Sequence, residues 1–124
     1  VKFIKSNLDP IIITICGTDY PALLSFRALT ELEELTGEGF NITMNKFAVG
    51  DYSPSDILKV VFVSLKGGGV DVVYDDLLSI DYSTELMTHL TQKTTDLFLR
   101  HAGINDMGKD EDDDKKKQTT KKTI

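Results

Sequence analysis

Ser53-Pro54-Ser55-Asp56 restricts what this chain can fold into more than any other stretch. Ser53 can cap a helix, Pro54 suits the first helical position, and Asp56 stands where the reciprocal carboxylate of a capping box belongs. The helix it opens, through Leu65, is apolar nearly all round, with Ile57, Leu58, Val60, Val61, Phe62, Val63 and Leu65. A helix without a polar face has to be covered on several sides, so the rest of the chain must be arranged around it. The same residues leave one competing reading: 60–63 and 70–74 flanking Gly67-Gly68-Gly69 would also fit a β-hairpin. The capping signals favour the helix.

Two amphipathic segments supply covers. In residues 25–36 Phe26, Leu29, Leu32 and Leu35 recur every third position between charged residues, and Gly37 stands at the C-cap. A second helix is expected from Ser83 to Ala102 with Gly103 as its stop. Its Leu86, Met87, Leu90, Thr94, Leu97, Phe98 and His101 fall in one 120° sector at 100° per residue. Residues 75–79 read as a short helical turn presenting Leu77 and Leu78.

The remaining apolar stretches read as strands. Residues 11–16 form a β-branched run closed by Gly17-Thr18-Asp19, and Tyr20-Pro21 favours extended geometry, which together predict an N-terminal β-hairpin or short sheet. Cys16, at the end of that run and unable to form an internal disulfide, is expected to be a buried structural thiol. In residues 39–51 Phe40, Ile42 and Met44 alternate with polar residues, and Phe47 and Val49 follow. That pattern predicts a third, half-buried strand; the alternative is a mobile arm that orders when a partner docks. The expected fold class is therefore α+β: a small, mostly helical domain over residues 1–105.

Charge is segregated along the chain. Residues 1–105 hold 14 acids against 8 Lys plus Arg, which accounts for the whole net charge of −6. Residues 106–124 sum to zero, yet 106–114 carry six acids and one Lys, whereas 115–122 carry five Lys and no acid. Such blocks with few apolar residues predict a disordered tail. An acidic domain repels phosphate backbones and anionic lipids, so nucleic acid and membrane are not expected partners. No run reaches the roughly 18 apolar residues of a membrane span, and residues 1–10 lack the apolar stretch of a secretory signal, which predicts a cytoplasmic protein.

Chemistry-bearing constellations are not found. The glycine triplet at 67–69 lacks the spacing and the following Lys and Ser/Thr of a phosphate loop, and reads as a flexible helix terminator. Asp71, Asp75, Asp76 and Asp81 do not match a calcium loop. His101 lies on the helical stripe and His89 off it, neither with a second ligand or base at a useful spacing. The nearest approach to the Asp-Ser-Leu of an acyl carrier is Leu78-Ser79-Ile80-Asp81. No enzyme activity, metal or cofactor is expected.

The order of elements, and the stretch Tyr20-Pro21 through Phe26, Ala28-Leu29, Leu32-Glu33 and Gly37, resembles the tail assembly chaperones of long, non-contractile-tailed (siphovirus-type) bacteriophages over about residues 11–103. The resemblance implies a protein of the host cytoplasm that binds the tape measure protein and keeps it soluble while tail tube protein polymerises around it, with possible self-association. Such a role suits apolar grooves on an acidic, soluble surface. The candidate contacts are first Phe40, Ile42, Met44 and Phe47, and second Leu97 and Phe98. The family also implies translational frameshifting near the end of the gene, for which Lys115-Lys116-Lys117 offers a run writable in adenines. The competing expectation is an acidic DNA mimic or inhibitor of a basic protein, using carboxylates in place of phosphates.

Overall fold

The computed structural model describes residues 9–103. The expected tail at 106–124, with its Lys115-Lys117 run, lies outside the described residues. Two strands and five helices follow one another as β1 (Ile11–Ile15), β2 (Thr18–Ala22), α1 (Phe26–Thr36), α2 (Phe40–Ala48), α3 (Pro54–Gly67), α4 (Tyr74–Leu78) and α5 (Thr84–His101). This is the small, mostly helical α+β domain that the sequence implies.

The strands pair antiparallel, with Ile13 opposite Tyr20 and Ile15 opposite Thr18. Only Cys16 and Gly17 connect them, at φ of 52° and 83°. Positive φ at both central residues is the primed turn whose twist matches that of the flanking strands. The turn therefore comes one residue earlier than the Gly17-Thr18-Asp19 signal indicates, and Cys16 is at its exposed tip. The expectation of a buried thiol is overturned for that reason: the run of inward-facing residues ends at Ile15. Pro21, which cannot donate to a ladder, faces Ile12. That is a position of the same parity as Thr14, whose N–H points away from β2.

The start signal at Ser53 folds as read. Ser53 Oγ accepts the Asp56 N–H at 3.3 Å and Asp56 Oδ2 accepts the Ser53 N–H at 2.9 Å, closing the capping box with Pro54 in the first turn. Ile57, Leu58, Val60, Val61, Val63, Ser64 and Leu65 are buried, with α1, α5, β2 and α4 packed around them. Each such Val, Leu or Ile side chain contributes about 2 kcal/mol relative to leaving it in water. The buried Ser64 hydroxyl is satisfied by the Val61 carbonyl at 2.9 Å.

The glycines after α3 are more than a flexible stop. A Cβ on Gly67 would lie 2.1 Å from the Leu23 carbonyl oxygen, and one on Gly68 2.2 Å from that of Pro21. The helix end thus abuts β2 and the linker after it, and the Leu23 N–H is donated to the Ser64 carbonyl at 2.9 Å. Gly69, at φ 93°, supplies the reversal.

Helix α1 is capped by Ser25, whose Oγ accepts the Ala28 N–H at 3.2 Å, and ends at Gly37 with φ 75°. Leu29 and Leu32 are buried as expected, but Leu35 is exposed and Phe26 is 81% exposed. A strict three-residue spacing drifts about 60° per step around a helix, so the two ends of the row leave the buried face. Ala28 takes the place beside Leu29 and Leu32.

The segment expected to be a third strand or a mobile arm is helix α2. Phe40, Met44 and Phe47 recur at helical spacing and pack against the core, with Thr43 buried beside them. The alternation over 40–44 is accidental, since only Phe40 and Met44 share a helical face. The Glu33 carboxylate accepts the Phe40 N–H at 2.8 Å, replacing the side-chain cap that Gly39 cannot provide.

Helix α5 begins at Ser83, whose Oγ accepts the Leu86 N–H at 3.1 Å. Leu90, Thr94, Leu97 and Phe98 are buried, Leu86 and Met87 are half-buried, and His101 at the end of the stripe is exposed. In α4, Leu77 enters the core and Leu78 remains in solvent.

Candidate partner-binding surface

Helix α2 meets α5 through aromatic rings. Phe98 is the hub, its ring centroid 5.0 Å from Phe47 and 5.7 Å from Phe40. Phe47 stacks on Tyr52 at 4.6 Å and 4°, and His101 stands edge-on to Phe40 at 5.0 Å. Offset and edge-on pairs of this kind add about 1 kcal/mol beyond the area they bury.

Of the six residues singled out from the sequence, the fold brings Phe40, Phe47 and Phe98 into this one cluster. Met44 packs half-buried against the core next to them. Leu97 and Phe98 are buried, so they form the base of the site rather than its surface. Ile42 is carried to the opposite side of α2 and is 55% exposed. Val49, just past the helix, is exposed as well.

Polar contacts hold the helix in place. Glu38, between α1 and α2, pairs with Lys46 at 2.9 Å and accepts the Thr43 hydroxyl at 3.4 Å. The hydrogen bond to Glu38 pushes the Lys46 pKa above its ordinary 10.5 and outweighs the opposing cost of burial.

Sequence reasoning missed Tyr52 and the aromatic role of His101. Tyr52 lies outside any periodic segment, so only its fold-dependent stacking on Phe47 reveals it; His101 was visible on the stripe but without a partner. Among the described residues no group of three His, Cys, Asp or Glu side chains is placed to hold a metal ion, and no helix is long and apolar enough to cross a membrane.

Comparison with protein families finds a match to the family described as "Phage tail tube protein, GTA-gp10" over residues 11–98, from the first residue of β1 to the Phe98 hub. The chain belongs to this family. Comparisons with curated proteins and with solved structures found no match. As a member of a phage tail family, the protein has a role in tail assembly or structure, which implies interaction with other tail proteins. The matched span includes all of α2 and the rings of Phe40, Phe47, Tyr52 and Phe98, and ends before His101.

Proposed function

We propose that this member of the phage tail family is a tail assembly chaperone, which binds the tape measure protein in the host cytoplasm and keeps it soluble until tube subunits enclose it. The observation that carries the reading is the exposed Ile42 and Val49 on an α2 otherwise fixed by its aromatic face, within a domain of net negative charge. A long helical partner with apolar stripes would lie against such side chains, while like charge keeps the coated complexes apart. The role is binding without catalysis.

Coexpression with the tape measure protein of a neighbouring gene tests it. The expected result is a soluble tape measure protein that copurifies with this chain, and loss of copurification on Ile42→Asp with the fold intact. An insoluble tape measure protein in the presence of the wild-type chain overturns the reading. The family description favours one competing reading, that the chain is itself a tube subunit. Negative-stain microscopy of the purified protein separates the two, since a tube subunit polymerises into hollow tubes alone and a chaperone does not. We further propose that Lys115-Lys117 is encoded by a slippery run, which requires adenine-rich codons and an overlapping downstream frame.

A further inference from the structure

Lys and Arg are scarce in this acidic domain and unevenly placed. The described residues hold fourteen Asp and Glu against six Lys and Arg, and three of the six, Arg27, Lys66 and Arg100, line two neighbouring depressions. Of the fourteen acids only Asp9 and Glu31 line either one. The first depression is a groove of about 920 Å³ bordered by Phe26, Arg27 and Glu31 of α1 and by Lys66 at the end of α3. The second is a cleft in which Arg100 and His101, at the end of α5, meet Leu23 and Leu24. Leu23 borders both, and Ser25 of the groove directly follows Leu24 of the cleft, so the last turn of α5 stands next to the mouth of the groove.

The charge on this strip is not cancelled by the fold. Glu31 pairs with Lys66 at 2.7 Å and is thereby drawn away from Arg27, one turn before it on α1. Arg100 donates to the Asp9 backbone carbonyl at 2.7 Å, a contact that leaves its charge unneutralised. Arg27 and Arg100 are in no ion pair among the described residues. Phe26, at the edge of the groove, is 81% exposed. An occupant with several carboxylates and an apolar side chain would suit both features.

The chain itself supplies such a segment directly after α5. Past Gly103 the sequence runs Ile104-Asn105-Asp106-Met107-Gly108-Lys109 and then into five consecutive acids at 110–114. We propose that residues 104–114 dock along this strip, with Ile104 and Met107 over Leu23 and Phe26 and the carboxylates of 110–114 on Arg27 and Lys66. Seven extended residues from Gly103 to Asp110 span up to about 25 Å, and the 11 residues of α1 rise only about 16 Å, so no helix has to move for the acids to reach Arg27. The tether decides for this segment over an acidic segment of another protein: a short linker holds it at an effective concentration of the order of millimolar, against which a free competitor must bind. Docking of this kind is independent of any tape measure partner.

Paramagnetic relaxation on the full chain tests it, with a nitroxide on Lys115→Cys in a Cys16→Ser background. The expected result is broadening of the amides of 26–28 and 66–67 well beyond that at α2 and at the hairpin tip. Phe26→Ser with Arg27→Glu, or salt of about 0.5 M, should lower that broadening by about half or more, while amide shifts away from α1 stay unchanged. Broadening that is the same in the variant and at high salt overturns the proposal, because the segment then merely passes the strip. So does broadening that appears chiefly when nitroxide-bearing chains are mixed with isotope-labelled chains lacking the nitroxide, because the occupant is then the segment of a second copy. Weak broadening spread evenly over the domain overturns it too, and leaves the strip to an acidic segment of another protein.

Discussion

The backbone N–H of Thr14 on β1 is donated to Nε2 of His89 on α5 across 3.0 Å, joining residues 75 apart in the chain. An edge strand must do something with its outward N–H groups, and here an imidazole closes one of them. Nε2 can accept only when it carries no hydrogen, so the proton of the neutral ring is on Nδ1. The hairpin is thus tied at one edge to the last helix and at the other to the end of α3.

Removing the acceptor should cost more than an ordinary surface change. His89→Ala leaves the part-buried Thr14 N–H without a partner and is expected to lower stability by about 1–3 kcal/mol. His89→Gln, which retains an acceptor, should lose less. Urea unfolding of the three proteins orders them, and equal stability for His89→Ala and wild type would remove the contact from the account.

The glycines at the end of α3 give a steric prediction. Gly67→Ala and Gly68→Ala each drive a Cβ into a backbone carbonyl, at 2.1 Å and 2.2 Å, and neither carbonyl can yield without moving β2 or its linker. A loss of about 3 kcal/mol or more is expected for each. Gly69→Ala meets open space and pays only for its φ of 93°, about 1 kcal/mol. Thermal unfolding of the three variants should separate the pair from the single.

The Phe98 hub should dominate the attachment of α2. Phe98→Ala removes the ring that both Phe40 and Phe47 contact and is expected to cost about 3–5 kcal/mol. Ile42→Ser, on the far side of the same helix, should change stability by under about 0.5 kcal/mol. Amide exchange over α2 supplies the structural readout, with protection lost in the first variant and retained in the second.

Alkali should destabilise the fold through two groups. Burial, followed by the neighbouring Cys16 and Tyr74, raises the Tyr82 pKa above its ordinary 10.0, and the Glu38 hydrogen bond raises that of Lys46 above 10.5. The folded chain therefore binds these protons more tightly than the unfolded one. Stability from them is complete below the unfolded values and is lost as pH rises through the higher folded values. Denaturation midpoints on either side of pH 10 should fall with pH. Tyr82→Phe should flatten part of that fall, at the cost of the hydroxyl's 2.5 Å bond to the Leu77 carbonyl.

How far the sequence could be read varies from residue to residue, and the reason is the range of the interaction involved. The capping box at Ser53 and Asp56, the stops at Gly37 and Gly103 and the hairpin were legible because they are made by residues within a few positions of one another. The candidate contacts were legible only as apolar residues. Whether Phe40, Ile42, Met44 and Phe47 stand on a strand or a helix turned on Phe98, which reaches α2 from α5, with Glu33 and Glu38 holding the helix from the residues just before it. The alternation that pointed to a strand was local, and the tertiary contacts outweighed it.

The sequence by itself determined that a capped helix, apolar nearly all round, would be buried on several sides, that amphipathic helices would accompany it, and that the domain would be acidic. Only the tertiary structure decided which apolar residues were left over. Cys16 reached a hairpin tip because the strand ended one residue before it, Phe26 left the core because its row drifts around α1, and Ile42 turned outward because α2 took helical period. Burial is a property of facing surfaces, and the face a residue meets is set by elements far away in sequence.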